Sequence, residues 1–355
     1  MKVLCITKRR GAYGGVHPSS GLYNSVRFIV AMLNEIGVDA KMVDVVDNNS
    51  IDREVHKYRP DICIIDAIWI IPEKFAILKR LHPKVKWVIR NHSDIPFLSN
   101  EGNAIRWLFE YLDYDIKLAS NRKQTADELS KTLNTDIAFL PNYYPLTDEI
   151  LRTGRDSETI NIGCFGAIRP LKNQLVQAMA AIEFADRRNQ ALKFYINTER
   201  VEGCGESILK NLRSLFDYSG HELVELPWLD HKDFIKLLGS KIDLSMQVSF
   251  NETFNIVSSD ACNLNIPIVV SPEVYWASKA AMVKDTTNVD KIVERMEIVI
   301  DNNAIVKYNK NLLGRENERT KQAWCSFLGL DKLEMSWTEC IFGWCFKRFR
   351  REDAL

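Results

Sequence analysis

The sequence predicts an α/β protein built from two doubly wound parallel sheets that face each other across a cleft. Three observations lead there. The chain has 355 residues, more than one hydrophobic core usually supports, so two domains are expected. Short, continuously apolar runs alternate with segments of helical periodicity, which is the pattern of parallel strands covered on both faces. That alternation pauses near residue 150 and then begins again.

Taken in order, residues 3–7 read as an apolar strand, followed by a loop rich in glycine and basic residues. The next segment places Leu22, Val26, Ile29, Leu33 and Ile36 at spacings of four and three, as one buried helical face requires, and Gly37 stops it. Residues 40–46, 61–68 and 86–91 are the second, third and fourth strands, with helices between most of them, and 116–119 is a further strand. The pattern pauses at Leu140-Pro141-Asn142-Tyr143-Tyr144-Pro145 and in the polar stretch 153–159. Residues 160–165 open the second half, whose other strands fall near 193–196, 223–226, 242–248 and 266–270. The division that follows is a first domain over residues 1–150, a second over 151–325, and a terminal aromatic and basic segment over 326–355.

Composition narrows the partners. The chain is 46% hydrophobic and 26% charged, ordinary for a folded globular protein. Forty-seven basic residues balance forty-seven acidic ones, so there is no global field to recruit nucleic acid or an anionic membrane. The eight cysteines are scattered, several inside apolar runs such as Ile62-Cys63-Ile64-Ile65, with no metal-ligand spacing; buried free thiols in a reducing compartment are expected. The start of the chain has an apolar run too short for a secretory leader, and no apolar stretch approaches the roughly 20 residues that span a bilayer. The expectation is a cytoplasmic protein.

In open parallel sheets ligands bind at the carboxyl ends of strands, so the strand-to-helix loops are where chemistry is sought. The first such loop contains Gly11, Gly14 and Gly15, whose spacing is not the G-x-G-x-x-G dinucleotide fingerprint. The loop opening the second half is Phe165-Gly166-Ala167-Ile168-Arg169-Pro170-Leu171-Lys172-Asn173. Its two cations beside a glycine suit a diphosphate, Arg169 through its fork of donors and Lys172 as a point charge. A third stretch, residues 249–270, joins strand, loop, helix and strand; Glu252 lies in the loop and Asp260 two turns beyond, with the backbone amides of Thr253, Phe254, Asn255 and Ile256 available to phosphate oxygens. Carboxylates are natural acceptors for sugar and ribose hydroxyls. His92 follows the fourth strand, where a neutral imidazole can donate to a sugar or a phosphate. Glu101 and Arg106 lie just beyond. Asp113-Tyr114-Asp115 has the letters of a metal-binding D-x-D but is read as accidental, because it falls where a helix ends. Residues 337–351 are aromatic and then basic, suited either to packing on the first domain or to resting on an anionic membrane surface.

Together these segments resemble the retaining nucleotide-sugar glycosyltransferases of family four, which have the GT-B fold of two facing Rossmann-like domains. The acidic pair separated by seven residues and followed by a Pro-Val strand is matched by Glu252, Asp260 and Pro267-Ile268-Val269. The phosphate motif is matched by Gly166, Pro170 and Lys172, the amino-terminal Gly-Gly-Val by Gly14-Gly15-Val16, and the Pro-Asn entering the interdomain linker by Pro141-Asn142. The resemblance extends to about residue 325. The chain departs from the family where Asp260 replaces a glutamate, where Arg169 stands three residues after the motif glycine, and where Thr253 and Asn255 replace glycines, which marks a divergent member.

The resemblance implies transfer of a sugar, with retention and without a metal or a resident cofactor, from a UDP- or GDP-linked donor. Arg169, Lys172, Glu252 and His92 would carry the catalysis, with Arg169 and Lys172 holding the diphosphate, Glu252 the donor sugar and Asp260 the ribose; Gly14, Gly15, Ala167, Asn173, Thr253, Phe254, Asn255 and Ile256 would line the donor site, and the acceptor hydroxyl would enter near Gly15 and His92. A glycan or lipid-linked glycan is the favoured acceptor, with a modified nucleic-acid base also open. The alternatives are a nucleotide-sugar epimerase and a non-catalytic nucleotide-sugar-binding subunit.

Overall fold

A computed structural model of the chain describes residues 1–9, 20–147 and 158–330. The expectations for Gly11, Gly14, Gly15 and the terminal aromatic and basic run therefore lie outside the described residues. The first sheet comprises β1 (Lys2–Lys8), β2 (Asp39–Val45), β3 (Ile62–Asp66), β4 (Lys86–Asn91), β5 (Lys117–Ser120) and β6 (Ala138–Phe139). Between its strands run α1 (Gly21–Glu35), α2 (Ser50–Tyr58), α3 (Lys74–Leu81), α4 (Ile95–Leu98), α5 (Ala104–Asp113) and α6 (Lys123–Leu133). The second sheet comprises β7 (Thr159–Gly163), β8 (Ala191–Asn197), β9 (Glu222–Leu226), β10 (Leu244–Gln247) and β11 (Ile268–Val270). Its helices are α7 (Gln174–Arg187), α8 (Gly205–Ser219), α9 (His231–Lys241), α10 (Ile256–Asn263) and α11 (Val289–Ile300), and α12 (Asn303–Leu328) ends the described chain.

Every strand pair is parallel. The strand orders are β2-β1-β3-β4-β5-β6 and β11-β10-β7-β8-β9. In each sheet the order reverses once, between β1 and β3 in the first and between β7 and β10 in the second. Loops leave in opposite directions at such a point and open a crevice at the strands' carboxyl ends. The basic loop after β7 and the acidic loop after β10 therefore flank the crevice of the second sheet, which is why two motifs some 80 residues apart meet.

Alternation along β1 shows how the layers are filled. Leu4 and Ile6 join Ile51, Val55, Cys63, Ile65 and Phe75 on one face, whereas Val3 and Cys5 join Val26, Ile29 and Ile64 on the other. The second cluster runs on through Leu140, Tyr143, Tyr144, Leu313 and Trp324 into the core of the second domain. Cys5, Cys63, Cys164 and Cys262 are buried free thiols as expected; Cys204 is exposed, because it stands at the left-handed turn before α8 rather than in an apolar run.

The seam between the domains is α12 laid along residues 141–147. Trp324 Nε1 donates to the Pro141 carbonyl at 3.0 Å, Thr320 Oγ1 to the Asn142 carbonyl at 3.0 Å, and Lys310 Nζ to the Thr147 carbonyl at 3.0 Å. Asn317 accepts from the Tyr144 amide at 3.1 Å and donates to its carbonyl at 2.7 Å. These helix positions are spaced by seven, three and four, one face of a helix. Linker backbone that would otherwise be buried unpaired is thereby satisfied. Trp324 is fully buried under the Arg90 guanidinium, 5.4 Å from the ring centre. Trp324→Ala is expected to lower the unfolding free energy by about 3–5 kcal/mol, read as a fall in the denaturation midpoint; a loss below about 1 kcal/mol would mean that the seam is not held there.

Candidate functional site

The cleft between the two crevices has a volume of about 280 Å³, at the small end for small-molecule sites. The second domain contributes Gly166, Ala167, Arg169 and Lys172 from one loop and Glu252, Thr253, Phe254, Asn255, Ile256 and Asp260 from the other; the first contributes His92, Asp94, Phe97, Glu101 and Asn121.

Gly166 has φ of +122°, a conformation for which glycine is suited, and a Cβ there would lie 3.5 Å from Lys172 Cε. That is ordinary contact, so it is the backbone angle rather than the lysine that calls for glycine. Residues 170–172 make a single tight turn that ends at Asn173, φ +55°. Asn173 does not line the cleft: its Nδ2 donates to the carbonyls of Val248 at 3.0 Å and Thr286 at 2.7 Å, so its work is to hold the loops, a correction to its expected place in the donor site. Gln177 reinforces this, donating to the Lys172 carbonyl and accepting from the Val248 amide, both at 2.8 Å. Phe250 N also donates to the Leu171 carbonyl at 2.9 Å.

Lys172 Nζ donates to Glu252 Oε1, and both side chains are nearly buried. Burial pushes the Glu252 carboxyl up, but the Lys172 ammonium, with Arg169 and a bond from Ser249, more than offsets it and holds the carboxyl below its usual value. Arg169 lies 4.6 Å from the centre of the Phe97 ring across the cleft and 3.4 Å from Glu202, with its Nε buried and without a protein partner. Asn255, φ +66°, starts α10 by accepting from Ser258 N at 2.8 Å. The first amides of α10 thus open towards the cleft at the positive end of a helix.

Asp260 lies deeper than the sequence suggested. It is 1% exposed, and its Oδ1 accepts from Tyr144 Oη at 2.8 Å and from His231 Nε2 at 2.7 Å. Burial raises its carboxyl above the usual value, and His231 and Tyr144 restrain the rise.

The facing wall is organised by two buried carboxylates. Asp66 Oδ1 is 3.0 Å from Arg90 Nη1 and 2.8 Å from His92 Nε2, Nε2 is also 3.0 Å from Arg90 Nη1, and His92 Nδ1 is 3.5 Å from Asn121 Nδ2. Asp94 accepts from Arg122 and Asn251, each at 2.8 Å, and from Thr125. Arg122 Nη1 continues to the Glu252 carbonyl and lies 2.7 Å from Glu273 Oε2. Asn121 Nδ2 donates to Thr253 Oγ1 at 3.1 Å. The acidic loop is therefore held from both domains.

The structure thus brings His92, Ala167, Arg169, Lys172, Glu252, the residues 253–256 and Asp260 to one cleft, together with Glu101. Arg106 stands apart on an exposed helix face, paired with Glu110. Asp115 is exposed and paired with Lys79, and among the described residues no cluster of His, Cys, Asp and Glu is arranged to hold a metal. Asp66, Asp94, Asn121, Arg122, Tyr144 and His231 escaped the sequence reading, although Asn121 and Arg122 stand at the carboxyl end of β5, where the position rule would have found them.

Because Glu252 has a folded pKa below its unfolded value, its pairing contributes stability above about pH 4.5 that is lost as pH falls through the folded pKa. Lys172→Met leaves the carboxylate buried without its cation. It is expected to destabilise by about 3–5 kcal/mol near neutrality, with the deficit shrinking as the pH falls towards 5, because the unopposed carboxyl then takes up a proton. Urea unfolding at both pH values checks this, and a deficit independent of pH would refute the coupling.

No family model and no curated protein matches the chain. Solved structures do. A UDP-forming α,α-trehalose-phosphate synthase from Burkholderia vietnamiensis superposes with a TM-score of 0.65 at 8% identity, covering 93% of this chain and 97% of the other. The E. coli trehalose-6-phosphate structure bound with UDP-2-fluoro glucose gives 0.62 at 10%, covering 93% and 98%. The N-terminal domain of the Candida albicans trehalose-6-phosphate phosphatase gives 0.61 at 10%, covering 94% and 96%. At such identities the likeness is one of architecture. The chain has the GT-B fold.

Proposed function

We propose that the chain is a glycosyltransferase that moves a sugar from a nucleoside diphosphate to an acceptor hydroxyl with retention. The observation that carries the reading is the buried Lys172–Glu252 pair at the switch point of the second sheet, with Arg169 beside it and the N-terminus of α10 opposite. The neighbours named as UDP-forming synthases, and the one bound with UDP-2-fluoro glucose, support the same donor class.

In this reading the diphosphate lies between Lys172, Arg169 and the first amides of α10. Positive charge fixed there favours the leaving group as the bond from the anomeric carbon to its phosphate oxygen breaks. The acceptor oxygen bonds to that carbon on the same face, and its proton passes to the departing phosphate. Glu252, held ionised by Lys172, accepts from hydroxyls of the donor sugar. His92, anchored at Nε2 by Asp66 and Arg90, lines the cleft where its imidazole meets a sugar hydroxyl or the phosphate. The positive side chains and the helix end supply the charge, so the reading calls on no metal. Arg122 and Asn121 hold the acidic loop from the first domain and so keep the two walls of the cleft in register.

Titration calorimetry with UDP-, GDP-, ADP- and CMP-linked sugars, without added metal, tests the donor site. Selective binding of a UDP- or GDP-sugar is expected, weakened at least about tenfold by Lys172→Ala, since a charge-assisted bond contributes about 1.5–3 kcal/mol, and weakened also by Glu252→Ala. Binding of none of them, or binding indifferent to both substitutions, would overturn the assignment.

A further inference from the structure

The resemblance gives the ribose to Asp260, but the geometry does not. Its Oδ1 is occupied twice, by Tyr144 at 2.8 Å and His231 at 2.7 Å, and at the edge of the cleft the residue is 1% exposed. Aspartate is also one methylene shorter than the glutamate it replaces. His231 instead lines the cleft with its side chain 16% exposed. It is the first residue of α9, whose start is fixed by Asp230 accepting from Asp233 N at 2.9 Å. The ring stands edge-on against Phe28, 5.5 Å between centres, so it has little freedom to turn. With Nε2–H on Asp260, Nδ1 accepts from Nη2 of Arg27 on α1 at 3.4 Å, a long bond from an exposed side chain that a hydroxyl can displace.

A hydroxyl placed against Nδ1 finds an acceptor in the imidazole and a donor in Arg27, the two requirements of an alcohol. The position along the cleft is also right. Asp260 stands four residues into α10, about 6 Å from the helix start that faces the diphosphate, and ribose is the next unit of a nucleotide after its phosphates. We propose that His231 reads the ribose diol of the nucleoside diphosphate, with Arg27 beside it, and that Asp260 is a positioning residue acting through the imidazole. This rests on the donor reading above and assigns one subsite within it.

The test compares UDP with 2′-deoxy-UDP, and GDP with 2′-deoxy-GDP, by calorimetry on the full chain. Wild type is expected to bind the better ribonucleotide about tenfold more tightly than its deoxy form, the scale of one well-made hydrogen bond. His231→Phe, which keeps the ring against Phe28, is expected to bring the two within about twofold while diphosphate binding persists; His231→Ala is the second variant should the first fail to fold. Asp260→Asn, which still accepts from Nε2–H, is expected to keep most of the preference. Nitrogen NMR of His231 gives a readout independent of stability, with Nδ1 shifting on addition of the ribonucleotide and not of the deoxy form. A ribose preference that survives in the His231 variants and vanishes in Asp260→Asn would overturn the proposal and leave the donor site standing. Absence of any nucleoside diphosphate binding by wild type would remove both.

Discussion

The arrangement of the cleft depends on one buried guanidinium. Arg122, at the end of β5, meets Asp94 on its own domain and the Glu252 carbonyl and Glu273 on the other, and Asn251 closes the circuit back to Asp94. None of these charges would be stable there alone, since a buried ion left without its partner costs several kcal/mol. Together they satisfy one another, and in doing so they fix the loop that carries Glu252 relative to His92 and Phe97. The two walls of the cleft are thus set in register by a mutual electrostatic requirement that adds direction to the apolar core running between the domains, since apolar contact is non-directional.

On the second domain the same logic is local. Lys172 and Glu252 each make the other's burial tolerable, and Gln177 and Asn173 hold the two loops by their backbones, so that the pair is held in place by the fold itself. A site whose charges are already oriented needs little reorganisation when an anion arrives. The depressed Glu252 and the raised Asp260 are opposite results of one environment: both are buried, but one faces a fixed cation and the other a histidine and a phenol.

How far the sequence discloses this follows from the range of each signal. Parallel strands buried on both faces are continuous apolar runs, so ten of the eleven strands among the described residues were visible from residues such as Ile62-Cys63-Ile64-Ile65, whereas β6 is two residues long and has no period to detect. The basic and acidic loops were legible because each is compact in sequence and stands at a strand end. The Arg122 circuit was not, because its partners lie 28, 130 and 151 residues away and no spacing rule connects them. Asp260 was recognised as part of the site, but its commitment to Tyr144 and His231 depends on the linker and α9 folding over it. Asn173 looked like a ligand contact for the opposite reason: an amide in a phosphate loop is legible, and the carbonyls it holds are not.

The chain passes between the two domains twice, once through the linker that begins at residue 141 and once as α12 returns along it. Two bodies joined by a single strand can swivel freely, but two crossings fastened side by side behave as the leaves of a hinge. The Arg122 clasp adds a third fastening that uses neither crossing. Alignment of the two walls is therefore carried by the chain's own path and does not have to be found anew by whatever binds between them.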